Sequence, residues 1–236
     1  MHDCKYSNIY MDGSIWQKHY SYFIMVYETN LDIRRSSFIT THGWNYLISI
    51  ETASSVDFLL DENIFIDHKT YDSAKASVIH SEARLNDFKN NQIINCQSQA
   101  FDFTHYTGCI LTNNTIKNAH HIEKSALHFD GKGSSADYLH ITNCAFIDCT
   151  GEDKPTIFIS GLDVDIEIKQ VTFCNSKNIN DNNEPDFIID FDNIASNIII
   201  TFDQCNFSNL ECNYAAGGIG LWFTTKDTNR YQSIVF

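Results

Sequence analysis

Two histidines and an aspartate, His80, Asp102 and His128, occupy corresponding places in three short alternating segments, Ala76–His80, Ala100–Phe103 and Ala126–Phe129. Asp102 lies between Phe101 and Phe103, and His128 between Leu127 and Phe129. His80 takes the same place if Ile79 and Ser81 point inward. Alternate side chains of a strand face opposite sides, so the polar residue between two buried neighbours faces out. Imidazole titrates near neutrality and an adjacent carboxylate tunes it, which makes such a set competent for general acid–base work. The same groups have lone pairs suited to a divalent cation. By the same alignment the outward row continues through Phe158, Asp190 and Trp222, and a second row two positions on contains Glu82 and Asp130. His80, Asp102 and His128 are therefore the catalytic candidates, and Glu82, Asp130, Asp190 and Trp222 the ligand-binding candidates. The plainer reading is the solvated face of an acidic protein, where Asp and His are ordinary. No resident metal or cofactor is expected. The adjacent pair His120-His121, near Glu123, does not change this, because neighbouring side chains diverge.

Such rows exist only if the segments lie side by side, and an internal repeat does that. One large apolar residue followed two positions later by Asn or Asp recurs along the chain: CKYSN at Cys4–Asn8, NIFID at Asn63–Asp67, NQIIN at Asn91–Asn95, NTIKN at Asn114–Asn118, CAFID at Cys144–Asp148, VTFCN at Val171–Asn175 and CNFSN at Cys205–Asn209. An eighth copy, SSFIT at Ser36–Thr40, ends in Thr. The anchors Tyr6, Phe38, Phe65, Ile93, Ile116, Phe146, Phe173 and Phe207 are 23 to 34 residues apart. A second strand-like segment follows each anchor, and a third precedes most of them, as in Val164-Asp-Ile-Glu-Ile168 with its period of two. Three short strands per unit, repeated about eight times, specify an all-β, right-handed, single-stranded parallel β-helix solenoid. One unit cannot bury its own apolar face, whereas stacked units place Phe on Phe and Ile on Ile at the inter-strand spacing. The Asn or Asp after each anchor suits a sharp corner in the left-handed backbone region, which those residues tolerate.

The chain of 236 residues is 43% hydrophobic, enough for a core, and its two prolines leave no linker that would divide it. We therefore expect a single β-helix domain over residues 1–236, as a segment of a longer solenoid or by itself. The formal charge of -14 repels phosphates and argues against nucleic acid or an anionic membrane as partner. No apolar run has the length of a membrane helix. The eight cysteines form no CxxC pair, and several fall at core positions as free thiols. Met1–Ser14 lacks the basic-then-apolar layout of a secretory signal. The expected location is intracellular and soluble if the chain stands alone, and cell-surface or secreted if it belongs to a longer one.

The stretch Thr201-Phe-Asp-Gln-Cys-Asn-Phe-Ser-Asn-Leu-Glu-Cys-Asn-Tyr-Ala-Ala-Gly-Gly-Ile-Gly220 resembles a repeat of the chlamydial polymorphic outer-membrane proteins, which pair F-x-x-N with a downstream G-G-A-[ILV] on a β-helix passenger. Phe207 and Asn209 are one residue closer than in that pattern, and Gly217-Gly218-Ile219 lacks the Ala. The resemblance covers this coil alone. It implies a surface-display or adhesion scaffold and transfers no catalytic residue. The leading expectation is a non-catalytic binding or adhesive module with a glycan or protein ligand, and, since neither end shows a capping helix, end-to-end contact with further coils. The alternative is a carbohydrate-active lyase or glycoside hydrolase of the pectin-lyase-like class, whose β-helices carry acids on one exposed sheet face. The basic residue that polyuronate lyases use is not evident here, with Lys132 and Lys154 in expected loops.

Overall fold

The structure is a computed structural model that describes residues 1–10, 22–43, 46–51, 55–70, 77–121, 125–131, 137–151, 155–161, 164–178, 187–194, 198–212, 219–225 and 232–235. Regular structure among these residues is entirely β, and every pairing between strands is parallel. The strands form three sheets, each built on a row of strands from successive coils in chain order, and the first sheet takes in the additional short strands Thr150–Gly151, Lys177–Asn178 and Glu211–Cys212. The chain is thus a right-handed parallel β-helix. The first sheet contains the anchor strands, the second the strands that follow them, and the third the strands that precede them.

The anchor column is continuous. Tyr6 pairs in register with Phe38, Phe38 with Phe65, and Phe65 with Ile93. It proceeds through Ile116, Phe146, Phe173 and Phe207. The rings of Phe38 and Phe65 stack at 4.9 Å between centroids, while Phe146, Phe173 and Phe207 meet edge to face at 6.4 and 6.2 Å. The second and third sheets add Phe101, Phe103, Phe129, Phe58 and Phe88, all fully buried. Each buried Phe contributes roughly 1.5–3 kcal/mol through the area it removes from water. Most of that area exists only because a neighbouring coil covers it.

Two kinds of left-handed residue bend the chain around each coil. Two residues after each anchor from Phe38 to Phe207, Thr40, Asp67, Asn95, Asn118, Asp148, Asn175 and Asn209 hold φ between 52 and 57°, the conformation expected of this position, and the first four do so inside the anchor strands Ser37–Gly43, Ile64–Thr70, Gln92–Cys96 and Thr115–His121. Their side chains bond along the axis: Asn95 Nδ2 donates to Asp67 Oδ1 at 3.0 Å and Asn118 Nδ2 to Asn95 Oδ1 at 2.7 Å. Before each anchor strand lies a second left-handed residue, from Asp3 to Gln204. The residue after it points into the core. There Asn63, Asn91 and Asn114 form a buried ladder. Asn63 Nδ2 donates to Asn91 Oδ1 at 3.0 Å, Asn91 Nδ2 to Asn114 Oδ1 at 2.9 Å, and each amide also donates to a backbone carbonyl at Ile33, Leu60 or Phe88. Cys144 takes the next place, with its sulfur 3.4 Å from the Asn114 backbone nitrogen. Two coils on, the Cys205 thiol donates to the Ile168 carbonyl, the role the amide has elsewhere. The described cysteines in these columns are free thiols.

Candidate functional site

The three catalytic candidates lie on consecutive rungs of the second sheet. His80 in the strand Ser77–Ser81 pairs with Asp102 in Gln99–Tyr106, which pairs with His128 in Leu127–Gly131. Phe101, Phe103, Leu127 and Phe129 are buried in the core on either side. Asp102 and His128 therefore occupy the outer face. The backbone rungs are about 4.8 Å apart, so the two imidazoles stand two rungs from each other with the carboxylate between them.

Asp102 bridges them. His80 Nδ1 lies 3.0 Å from Asp102 Oδ2, and His128 Nδ1 lies 2.8 Å from Asp102 Oδ1. Burial would raise the Asp102 carboxyl, which is 3% exposed, but the hydrogen bonds and charges of His128 and His80 outweigh it and hold the group well below the usual carboxylate range. An ionised carboxylate only accepts, so both Nδ1 atoms carry a proton. In the neutral rings each Nε2 is then the basic edge. His128 is the more open, its side chain 23% exposed against 10% for His80.

Flat rings close the row at both ends. Tyr46 stacks on His80 at 4.5 Å and 15°, and Phe158 on His128 at 5.7 Å and 17°. Burial, then the carboxylates of Asp102, Glu51 and Glu82, pushes the Tyr46 phenol above its ordinary value, so it stays protonated. Sequence reasoning missed Tyr46. Its register partner is Ser77, so it reaches His80 diagonally and shares no column with it.

The ligand-binding candidates are less concentrated. Glu82, half-buried, directly follows the His80 strand. Asp130 lies in the neighbouring column and accepts from Ser160 Oγ at 3.2 Å. Asp190 and Trp222 require a correction. In register, Phe158 faces Ile188, Ser160 faces Asp190, and Asp190 faces Trp222. Both therefore belong to the Asp130 column instead of the Asp102 row. The slip is of two residues, and Phe187, Ile189 and Phe191 share one parity, so a period of two cannot detect it. Only the backbone of Asp190 and Trp222 is described. Glu123, Lys132, Lys154, Gly217 and Gly218 lie outside the described residues.

Among the described residues no group of three His, Cys, Asp or Glu side chains is arranged to hold a metal ion. The row itself explains part of this, since one ion bound at about 2.0–2.1 Å cannot reach two Nε2 atoms two rungs apart. His120 and His121 diverge as neighbours on a strand do, His121 buried and His120 half-buried. Among the described residues no helix is long and apolar enough to cross a membrane. The chain matches no protein-family model, no curated protein and no solved structure at a significant level.

Proposed function

We propose that this β-helix is a non-catalytic binding module whose contact face is the outer side of the second sheet, and that its ligand is a hydroxyl-rich molecule of the glycan type. The observation that carries the reading is the His80–Asp102–His128 bridge. It holds two imidazoles on the sheet by hydrogen bonds within the protein itself, so little ordering of these groups is left to be done on binding. Hydroxyls both donate and accept, as the exposed edge of a neutral imidazole requires of a partner. An adhesive or surface-display role is the setting in which such a face has most use. The test is calorimetric titration of neutral oligosaccharides against the wild type and Asp102→Asn. Binding weakened about tenfold or more in the folded variant supports the reading, and unchanged binding removes this face from it.

One observation favours a second reading. A buried carboxylate held ionised against two imidazoles orients each ring as a general base is oriented. A carbohydrate-active lyase or hydrolase built on it would use the histidines for proton transfer. Asp102 has both oxygens engaged, so the paired-carboxylate arrangement of glycoside hydrolysis does not describe it. Incubation with polyuronates and neutral glycans decides. Product that disappears in His128→Gln establishes catalysis, and no product with retained binding leaves the module non-catalytic.

A further inference from the structure

We infer that the left-handed bend in the anchor strands Ile64–Thr70, Gln92–Cys96 and Thr115–His121 contains a second ligand site, separate from the Asp102 face, which takes a small hydroxylated carboxylate of the sugar-acid type. A cavity of about 440 Å³ opens there, lined by Asp67, Lys69, Asn95, Cys96, Gln97, Asn118 and His120. That volume is within the range of small-molecule sites. Three coils build it in register. The ladder Asp67–Asn95–Asn118 lines it together with Lys69, Gln97 and His120, each two residues further along the chain, and Lys69 pairs with Gln97 across the coils. The buried Cys96 completes the lining.

The corner geometry explains why its charges stay apart. On the flat outer face of the third sheet, acid and base two residues apart close into ion pairs: Asp32 with Arg34, Asp87 with Lys89 and Glu167 with Lys169. Asp67 and Lys69 have the same spacing, but Asp67 is at φ 56° and turns the chain between them. Lys69 makes no ion pair among the described residues, in a protein of formal charge -14. Its ammonium is the natural seat for an anion.

The amides define the rest of the ligand. Asn95 spends one N–H on Asp67 and one lone pair on Asn118. Each primary amide has further N–H and lone-pair capacity, so Asn95, Gln97 and Asn118 together offer both donors and acceptors, a match for several hydroxyl groups. Asp67 and the overall negative field disfavour a multiply charged phosphate relative to a carboxylate of charge one. Cys96 takes no chemical part. Burial pushes its thiol up to about 12, so the floor is neutral.

The experiment titrates glucuronate, glucose and inorganic phosphate into the intact protein and follows backbone amide chemical shifts, with Lys69→Gln and Asp102→Asn as variants. Glucuronate is expected to perturb residues 67–69, 95–97 and 118–120 and to bind at least tenfold more tightly than glucose or phosphate. Lys69→Gln, an exposed position, should lose that preference, while Asp102→Asn retains it. Perturbations confined to the second sheet, equal affinity for glucose, stronger binding of phosphate, an unchanged Lys69→Gln variant, or no perturbation at all overturns the inference. Because Asp102→Asn tests the other face separately, either site can fail without the other.

Discussion

Asp102 and His68 are buried titratable residues that respond to acid in different windows. Asp102 has a folded value lowered by its imidazole partners, against about 3.9 in an unfolded chain. Above about pH 5 both states are ionised and its stabilisation is fully present. Below that the unfolded chain takes up the proton first, and stability is lost as pH falls, by at most about 1.4 kcal/mol per unit. His68 pairs through Nδ1 with Thr41 Oγ1 at 2.6 Å, and burial pushes its value down to about 3. It is neutral in the fold, whereas an unfolded histidine protonates near 6.5. Its loss of stability therefore starts near pH 6.5 and continues to about pH 3. Urea denaturation from pH 8 to pH 4 should show falling stability below pH 6.5 in the wild type, and a flatter profile in His68→Leu whatever the variant's starting stability. If the variant keeps the wild-type slope, His68 is not the group responsible. Asp102→Asn should cost about 1–3 kcal/mol at pH 7, because its amide nitrogen would confront an imidazole N–H.

The strand elements explain what was legible beforehand and what was not. The anchor spacing and the left-handed corner at Asp67, Asn95 and Asn118 follow from letters that recur at fixed offsets, and the structure has them there. Asp102 beside His128 was legible for the same reason, since Phe101, Phe103, Leu127 and Phe129 set the parity on both strands. The buried ladder Asn63–Asn91–Asn114 uses the same amino acid two residues before the anchor, and composition alone does not say which Asn goes inside. Side-chain contacts between columns, as with Tyr46 on His80, leave no periodic trace, and a register slip by two at Asp190 preserves every parity. The two asparagine positions should therefore differ in a mutational test. Asn91→Ala strands the Leu60 carbonyl and two Asn63 donors in the core, and should cost about 3 kcal/mol or more given about 1–3 kcal/mol for each unmet group. Asn95→Gly removes exposed bonds but relieves the left-handed backbone, and should stay within about 1 kcal/mol. Equal losses in chemical denaturation would mean that burial of the ladder carries no special weight.

At the scale of the whole molecule, sequence order is spatial order. Contacts join residues one coil apart, as in Phe38 to Phe65 or Phe146 to Phe173, and no sheet brings distant coils together. Stability in such an array is a sum of coil terms and nearest-neighbour terms, so damage should remain local. Phe146 is fully packed between Ile116 and Phe173. Its replacement by Ala removes the core from the middle of the anchor column and should cost about 3–5 kcal/mol. A globular two-state domain would spread that loss evenly over every amide whose exchange needs global opening. Here the loss should be graded. Native-state hydrogen exchange should show the largest fall in protection at Thr115–His121, Ala145–Ile147 and Thr172–Cys174, and a smaller one at Ser37–Gly43, whose neighbours above and below are intact. A uniform fall across all four strands would show that the coils open as one unit. In that case the His80–Asp102–His128 face and the Lys69 corner could not respond to their ligands independently, whereas graded protection would leave each site coupled chiefly to the coils that build it.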